Sequence, residues 1–245
     1  MQSRIVKLME QAGGLLESFS SRGSYYSVLI VVIGAVLRLA DVKLVVSPEV
    51  KLVLFLVLLV LAVGFSMGIV IHLANPKLNI WPPPGKNSWQ FWYVWILYTM
   101  DAIGVAAIAI LDWGSMKLDH WSFYLLGFGC LLVAVALGEW SVRTLDVHQT
   151  LGLKGTMVTD GPYRLSRNPQ YVAVLLIYTG IVLITRSYMG LIIGAIMAVW
   201  FLLAPLAEEP WLEGQFGEQY QEYRKHVPRF IGWRSFARLK TEERD

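Results

Sequence analysis

Long apolar stretches alternate with short polar ones along this chain. Apolar windows of about twenty residues occupy residues 25–46, 52–74, 91–111 and 121–142. Each is long enough to cross a hydrocarbon core of about 30 Å as an α-helix, because a helix rises by about 1.5 Å per residue. These windows predict membrane-spanning helices.

Two shorter apolar runs, residues 171–184 and 189–207, follow Pro169. The polar tripeptide Thr185-Arg186-Ser187 separates them, so they predict a helical hairpin whose tip reaches the opposite membrane surface. Lipid offers backbone polar groups no partners, which favours helices for every crossing. The pattern predicts an all-α, multi-pass membrane protein with about six crossings and both termini on one side.

The composition agrees with a membrane protein. Hydrophobic residues make up 56% of the 245 residues and charged residues 16%, which is too apolar for a soluble domain. The one cysteine, Cys130, lies in an apolar window, so an intrachain disulfide is excluded and a cysteine-ligated metal is not expected. We expect contacts with membrane lipids and neither a metal nor a nucleic-acid partner. The sequence leaves the oligomeric state open.

The basic residues indicate the sidedness of the chain. Residues 1–24, 75–90, 143–168 and 208–245 hold 16 of the 21 Lys and Arg residues. Because cytoplasmic segments of membrane proteins are enriched in Lys and Arg, we predict that these segments and both termini are cytoplasmic.

Three further segments have their own patterns. Spaced apolar residues predict a retained surface helix within residues 1–24, and residues 211–230 predict a soluble amphipathic helix that Pro228 ends. The four tryptophans of the polar loop and the following helix are typical of interfacial anchors: Trp81, Trp89, Trp92 and Trp95. We therefore divide the chain into an interfacial segment, 1–24, a membrane scaffold, 25–120, and a C-terminal core, 121–245.

Two polar clusters flank the last hairpin. The first is the stretch TDGPYRLSRNPQY at residues 159–171, and the second is Glu208-Glu209-Pro210. Arginines just before a helix are also typical of positive-inside anchors, and an acidic pair is also typical of a solvated helix end, which we favour for one of the two glutamates.

The first cluster resembles the signature of the integral-membrane methyltransferases, which include isoprenylcysteine carboxyl methyltransferases and phosphatidylethanolamine N-methyltransferases. Eight residues meet its pattern: Gly161, Pro162, Tyr163, Arg164, Arg167, Asn168, Pro169 and Tyr171. A second element of that family, an acidic pair followed by FG-x-x-Y-x-x-Y-x-x-x-V-P, is matched by Glu208, Glu209, Phe216, Gly217, Tyr220, Tyr223, Val227 and Pro228. The resemblance covers about the last 125 residues.

This resemblance implies that S-adenosylmethionine binds where the last helices meet the cytosol and leaves as S-adenosylhomocysteine. A lipid-like acceptor would enter from the bilayer. Carboxylates suit the cationic groups of the cofactor, and donors and aromatic rings suit its carboxylate and sulfonium. The implied cofactor-binding residues are Tyr163, Arg164, Asn168, Pro169, Tyr171, Glu208 and Glu209, with His148 as an exposed alternative.

Gly127 and Gly129 form a Gly-x-Gly in the fourth apolar window. In the phosphatidylethanolamine branch of the family a Gly-x-Gly is assigned to the cofactor, whereas small residues in membrane helices usually serve close packing. We favour packing and keep cofactor binding as the alternative.

Two charges, Arg38 and Asp101, fall inside apolar windows, where charges are costly and often functional. Either the two residues form an ion pair, or Asp101 lies near the methyl acceptor. An amine acceptor has to lose a proton before it can attack, so we predict Glu209 or Asp101 as the base and Tyr171 as the third catalytic residue.

Residues 187–221 contain no Lys, Arg or His, which favours an amine on a phospholipid headgroup over a carboxylate as the acceptor. Three alternatives stay open. They are a carboxyl or thiol methyltransferase of the same fold, an NADPH-dependent reductase similar to the sterol reductases, and a non-enzymatic membrane scaffold.

Overall fold

The computed structural model describes residues 46–145, 147–232 and 235 of the 245. The predicted surface helix within residues 1–24, nearly all of the first apolar window and the Arg38 partner proposed for Asp101 lie outside the described residues.

The described part of the chain is helical and contains no strand. The prediction of an all-α membrane fold is confirmed. The helices, in chain order, are α1 (Pro48–Ala74), α2 (Trp89–Leu111), α3 (Ser122–Leu145), α4 (Val147–Thr150), α5 (Pro169–Thr185), α6 (Tyr188–Phe216) and α7 (Glu218–His226), with short 3-10 turns at Pro76–Leu78 and Gly161–Arg164.

Four of these helices, α1, α2, α3 and α6, are long and apolar enough to cross a membrane, and α5 is a shorter apolar helix. They correspond to the predicted windows from residue 52 onward and to the predicted hairpin. Large apolar side chains remain exposed on their outer faces, such as Val60 and Leu132. Such faces suit contact with lipid.

Serine caps begin three of the long helices. The hydroxyls of Ser47, Ser88 and Ser187 accept hydrogen bonds from the backbone N–H groups of Val50, Phe91 and Gly190. Each cap satisfies one of the N–H groups that the first turn of a helix leaves without a partner.

The boundaries predicted for the tail helix, residues 211–230, were wrong. Helix α6 continues through Pro205 and Pro210 to Phe216, so the first part of the predicted tail helix belongs to the hairpin. Gly217 then adopts a φ of 55°, which favours glycine, and the chain restarts as the short helix α7. Helix α7 ends at His226, two residues before Pro228, which agrees with the predicted end.

One carboxylate joins three helices at the end of the bundle where α5 turns into α6. Asp112, just after α2, accepts hydrogen bonds from four donors: Lys51 Nζ, Ser115 Oγ, Ser187 Oγ and the Met189 N–H. Burial opposes ionisation here, but these donors outweigh it and hold the pKa of Asp112 below its ordinary value. Asp112 therefore holds the ends of α1, α2 and α6 together.

Helices α3 and α5 lie along each other and approach closely where Gly127 of α3 faces Gly180 of α5. A Cβ atom placed on Gly127 would lie 2.6 Å from Ile184 Cγ1 and 3.0 Å from the Gly180 carbonyl oxygen. A Cβ atom on Gly129 would have no atom within 4 Å. Packing accounts for Gly127, as small residues let membrane helices approach each other.

Gly127 and Gly129 allow a matched test of the contact between α3 and α5. We expect Gly127→Ala to lower the free energy of unfolding by about 1–3 kcal/mol, because the added methyl group overpacks the contact with α5. Thermal denaturation in detergent measures the effect. Gly129→Ala is the control and is expected to leave the melting temperature unchanged or raised; equal losses in both variants would contradict the assignment.

Candidate functional site

The two polar clusters meet at the open end of the α5–α6 hairpin. Tyr171 lies in the first turn of α5, and its hydroxyl donates a 2.7 Å hydrogen bond to Glu208 Oε1 near the end of α6. The two residues are 37 positions apart in sequence. The antiparallel hairpin therefore brings one residue of each cluster into direct contact.

A third residue, Trp81, completes this contact and was missed by the sequence analysis. Its indole N–H is shared between the Tyr171 hydroxyl at 2.9 Å and Glu208 Oε1 at 2.8 Å. The side chain is only 5% exposed and meets Trp200 edge to face. The prediction of an interfacial anchor was wrong for Trp81, whereas Trp89 is exposed as that role requires.

The loop that carries Trp81 is fixed in place on both sides. The N–H of Ile80 donates a 3.0 Å hydrogen bond to Nδ1 of His72, which is buried near the end of α1. On the other side, a Cβ atom at Gly152 would lie 2.8 Å from the Trp81 ring, and Gly152 has a φ of +77°. Only glycine suits that position, because it needs both the space and the left-handed conformation.

Glu209 has a different environment from its neighbour Glu208. Its two oxygens form a two-point contact with Arg229, at 2.6 and 2.9 Å, and Arg167 lies 3.1 Å from the first of them. Glu209 in turn raises the pKa of Arg229 through its hydrogen bond. A carboxylate held by two arginines is a poor proton acceptor, which argues against Glu209 as the base. Neither glutamate is an ordinary solvated helix end.

The chain after α7 returns and pairs with the first polar cluster. The Arg167 N–H donates to the Pro228 carbonyl at 2.9 Å. The Arg229 carbonyl accepts from Ser166 Oγ and from Asn168 Nδ2, both at 3.0 Å. Asn168 and Glu209 therefore contact the same residue, Arg229, through its backbone and its side chain.

Tyrosines connect the remaining parts of the cluster. Tyr163 is buried, its hydroxyl accepts a 3.1 Å hydrogen bond from Gln170, and its carbonyl accepts one of 2.7 Å from the Tyr223 hydroxyl. Burial raises the pKa of Tyr163, which keeps the hydroxyl neutral. The Tyr220 hydroxyl accepts from Arg167 Nη1 at 3.2 Å. These contacts attach α7 to the loop before α5.

Other predicted site residues lie elsewhere. The side chains of Arg164 and His148 are exposed, while Pro169 is buried as the first residue of α5. Gly127 packs against Gly180, which lies nine residues beyond Tyr171 and therefore about 13 Å further along α5. The Gly-x-Gly and the polar cluster are thus separated. Asp101 is fully buried in the middle of α2.

Two polar atoms of the cluster lack partners among the described residues. Glu208 Oε2 receives no hydrogen bond, although Oε1 receives two. Arg167 Nε is buried and also has no partner. Buried polar groups are almost always paired, so the unpaired Arg167 Nε is a candidate to bind a ligand. Glu208 Oε2 is a second candidate, because it accepts no hydrogen bond from the described residues.

One part of the chain matches a known protein family. Residues 122–219 match the family model of the phospholipid methyltransferases. No curated protein and no solved structure gave a significant match. The matched segment runs from the first residue of α3 into α7 and contains Tyr171 and both glutamates, while Trp81 and Arg229 lie outside it. The resemblance to integral-membrane methyltransferases is confirmed over this segment.

The shared indole donor can be tested without knowing the ligand. We expect Trp81→Phe to lower the free energy of unfolding by about 1–3 kcal/mol, because Tyr171 and Glu208 lose a buried hydrogen-bond donor. Trp89→Phe is the matched control, since Trp89 is 58% exposed. Denaturation of both variants in detergent measures the difference, and equal stability would show that the Trp81 hydrogen bonds contribute nothing.

Proposed function

We propose that this chain is a membrane methyltransferase that acts on lipid and that its methyl donor is S-adenosylmethionine, because residues 122–219 match the family model of the phospholipid methyltransferases. We further propose that the favoured acceptor is an amine on a phospholipid headgroup. The observation that carries the proposal is that the matched segment contains a buried donor, Arg167 Nε, and an acceptor, Glu208 Oε2, which have no hydrogen-bond partners among the described residues.

The chemistry of this donor set fits the cofactor. S-adenosylmethionine carries an ammonium and ribose hydroxyls, which need acceptors, and a carboxylate, which needs donors. Glu208 Oε2 would accept from the ammonium or a ribose hydroxyl, and Arg167 Nε would donate to the carboxylate. The ring of Tyr171 offers an aromatic face to a sulfonium.

The remaining residues position these groups. Trp81 and Tyr171 hold Glu208 by its Oε1, which directs the second oxygen of the same carboxylate elsewhere. Glu209 and Tyr220 hold the guanidinium of Arg167 by Nη1. Both groups are thereby fixed before any ligand arrives, and a site that is already ordered loses less entropy on binding.

The bound cofactor would supply an electrophilic methyl carbon, whose bond to sulfur breaks as a bond to the acceptor forms, with the electron pair left on sulfur. The protein needs no covalent intermediate for such a displacement. Its residues hold the donor and the acceptor in line and exclude water.

The charge of the cluster favours an amine over a carboxylate as acceptor. Two arginines and two glutamates form this cluster: Arg167, Arg229, Glu208 and Glu209. Both arginines are already engaged by Glu209. An anionic acceptor would need a fixed cation that these four side chains do not offer.

Binding of the cofactor product tests the donor. We expect S-adenosylhomocysteine, and not NADPH, to raise the melting temperature of the purified protein in detergent. Glu208→Gln is expected to weaken this binding by about tenfold or more, because a charge-assisted hydrogen bond is worth about 1.5–3 kcal/mol. Stabilisation by NADPH alone would support a reductase, and no stabilisation by either would support a scaffold.

Two variants make the binding test specific. Arg167→Lys keeps the charge but removes Nε, so it is expected to weaken binding of the product as well. Glu218→Gln is the control, because Glu218 is an exposed residue at the start of α7. Unchanged affinity in both Glu208→Gln and Arg167→Lys would remove this site assignment.

The acceptor class is tested by transfer of a labelled methyl group to membrane lipids. An amine product is expected to keep its label in base, because a carbon–nitrogen bond resists hydrolysis. A methyl ester loses the label as methanol under the same treatment. A base-labile product would identify a carboxyl methyltransferase of the same fold.

A further inference from the structure

The interior of the helix bundle contains a carboxylate that has no partner among the described residues. Asp101 lies near the middle of α2, its side chain is 0% exposed, and neither of its oxygens has a hydrogen-bond partner within that part of the chain. None of the Lys, Arg or His residues that the structure describes forms an ion pair with it. A buried carboxylate is normally paired, so Asp101 indicates a missing cation or donor.

Two tyrosines lie around this carboxylate. Asp101 and Tyr98 are both within electrostatic reach of the Tyr178 hydroxyl on α5. That hydroxyl is also buried, and no described residue forms a hydrogen bond with it. Both tyrosine rings contact Phe201 of α6, with ring centres 5.8 and 6.1 Å apart. Helices α2, α5 and α6 therefore converge on one group of aromatic rings beside one unpaired carboxylate.

The combination of a carboxylate with aromatic faces is the usual environment for an alkylammonium ion. The carboxylate supplies the opposite charge, and the negative faces of the rings attract a cation. A metal ion is a poor fit, because Asp101 does not belong to a group of three or more His, Cys, Asp or Glu side chains among the described residues. An anion is excluded by the charge of Asp101.

This carboxylate is connected to the proposed cofactor site through aromatic contacts. Phe201 meets Tyr178 on one side and Tyr171 on the other, with ring centres 5.7 Å apart for the second pair. Tyr178 follows Tyr171 by seven residues, which is two turns and about 10 Å along the same face of α5. The two sites therefore share one wall.

We propose that Asp101, Tyr98 and Tyr178 form an intramembrane site for the ammonium group of the methyl acceptor, at which Asp101 removes the proton. This inference rests on the proposed function and names the residues that bind the acceptor. A carboxylate at this depth explains how a cationic group is held inside an apolar bundle, and it selects amines over anionic acceptors.

The proton transfer is balanced. The ammonium gives one proton to Asp101, which leaves a neutral amine with a free electron pair and a neutral carboxylic acid. After methylation the product is again an ammonium ion, so each transfer releases one proton overall. Asp101 returns that proton to water when the product leaves. Neutralising the carboxylate during the step also lowers the cost of keeping it in the interior.

The central test is Asp101→Asn, which keeps the shape of the side chain and removes its charge. We expect kcat/KM for phosphatidylethanolamine in detergent micelles to fall by about 100-fold or more, as losing a positioned base costs about 10²–10⁴-fold. Affinity for S-adenosylhomocysteine, measured by thermal shift, is expected to change by less than about twofold, because Asp101 forms no hydrogen bond with the residues proposed to bind the cofactor. Turnover equal to that of the wild type would overturn the proposal.

Further variants separate binding from structure. Tyr178→Phe is expected to raise KM more than it lowers kcat, because it alters the site without removing the base. Asp119→Asn is the control for the chemical change, as Asp119 is 89% exposed. If Arg38→Gln reproduced the loss of Asp101→Asn and the double variant recovered turnover, Asp101 would be the partner of Arg38 and the proposal would be wrong.

The source of the amine and the proposed function are tested in the same assay. Phosphatidylethanolamine and a single-chain alkylamine of similar length distinguish a lipid headgroup from a free lipophilic amine, and Asp101→Asn is expected to impair whichever is used. A wild-type protein that binds S-adenosylhomocysteine but methylates neither amine would overturn this inference alone. A wild-type protein that does not bind S-adenosylhomocysteine would overturn the proposed function, and this inference with it.

Discussion

At the end of the molecule that we predict to face the cytosol, the packing of three chain segments depends on one carboxylate oxygen. Glu208 Oε1 receives hydrogen bonds from Tyr171 and Trp81, which come from helix α5 and from the loop between α1 and α2. Three separate parts of the chain are thereby joined at one atom. Trp81 is buried, so the loss of both acceptors would leave its indole N–H unpaired.

The two adjacent glutamates have different partners because they point in different directions from the helix. Successive residues of an α-helix point about 100° apart. Glu208 faces Tyr171 and Trp81, whereas Glu209 faces Arg167 and Arg229. Glu209 is fully engaged with these arginines and holds the returning tail, while Glu208 Oε2 accepts no hydrogen bond from the described residues. Two successive residues of one helix thus differ in how many of their oxygens are engaged.

Much of the fold could be predicted from the sequence, because hydropathy and length are enough to identify membrane helices. The windows from residue 52 onward correspond to helices, and the α5–α6 hairpin was predicted from two short runs around Thr185-Arg186-Ser187. The course of α6 through Pro205 and Pro210 was not predicted, since proline normally ends a helix. The break came instead at Gly217, where the backbone conformation suits glycine.

The site was only partly predictable. Tyr171 and Glu208 were predicted to bind the cofactor because they belong to a rare motif. Arg167 belongs to the same motif but was not assigned to the cofactor, and Trp81 was predicted to be an interfacial residue. No local pattern marks a tryptophan that contacts residues 90 and 127 positions away. The matched family segment begins at residue 122, well after Trp81. A chimera that joined residues 122–219 to a different amino-terminal half would keep Glu208 and Tyr171 but lack the Trp81 indole that donates to both. The hydrogen-bonded cluster therefore extends beyond the segment that matches the family.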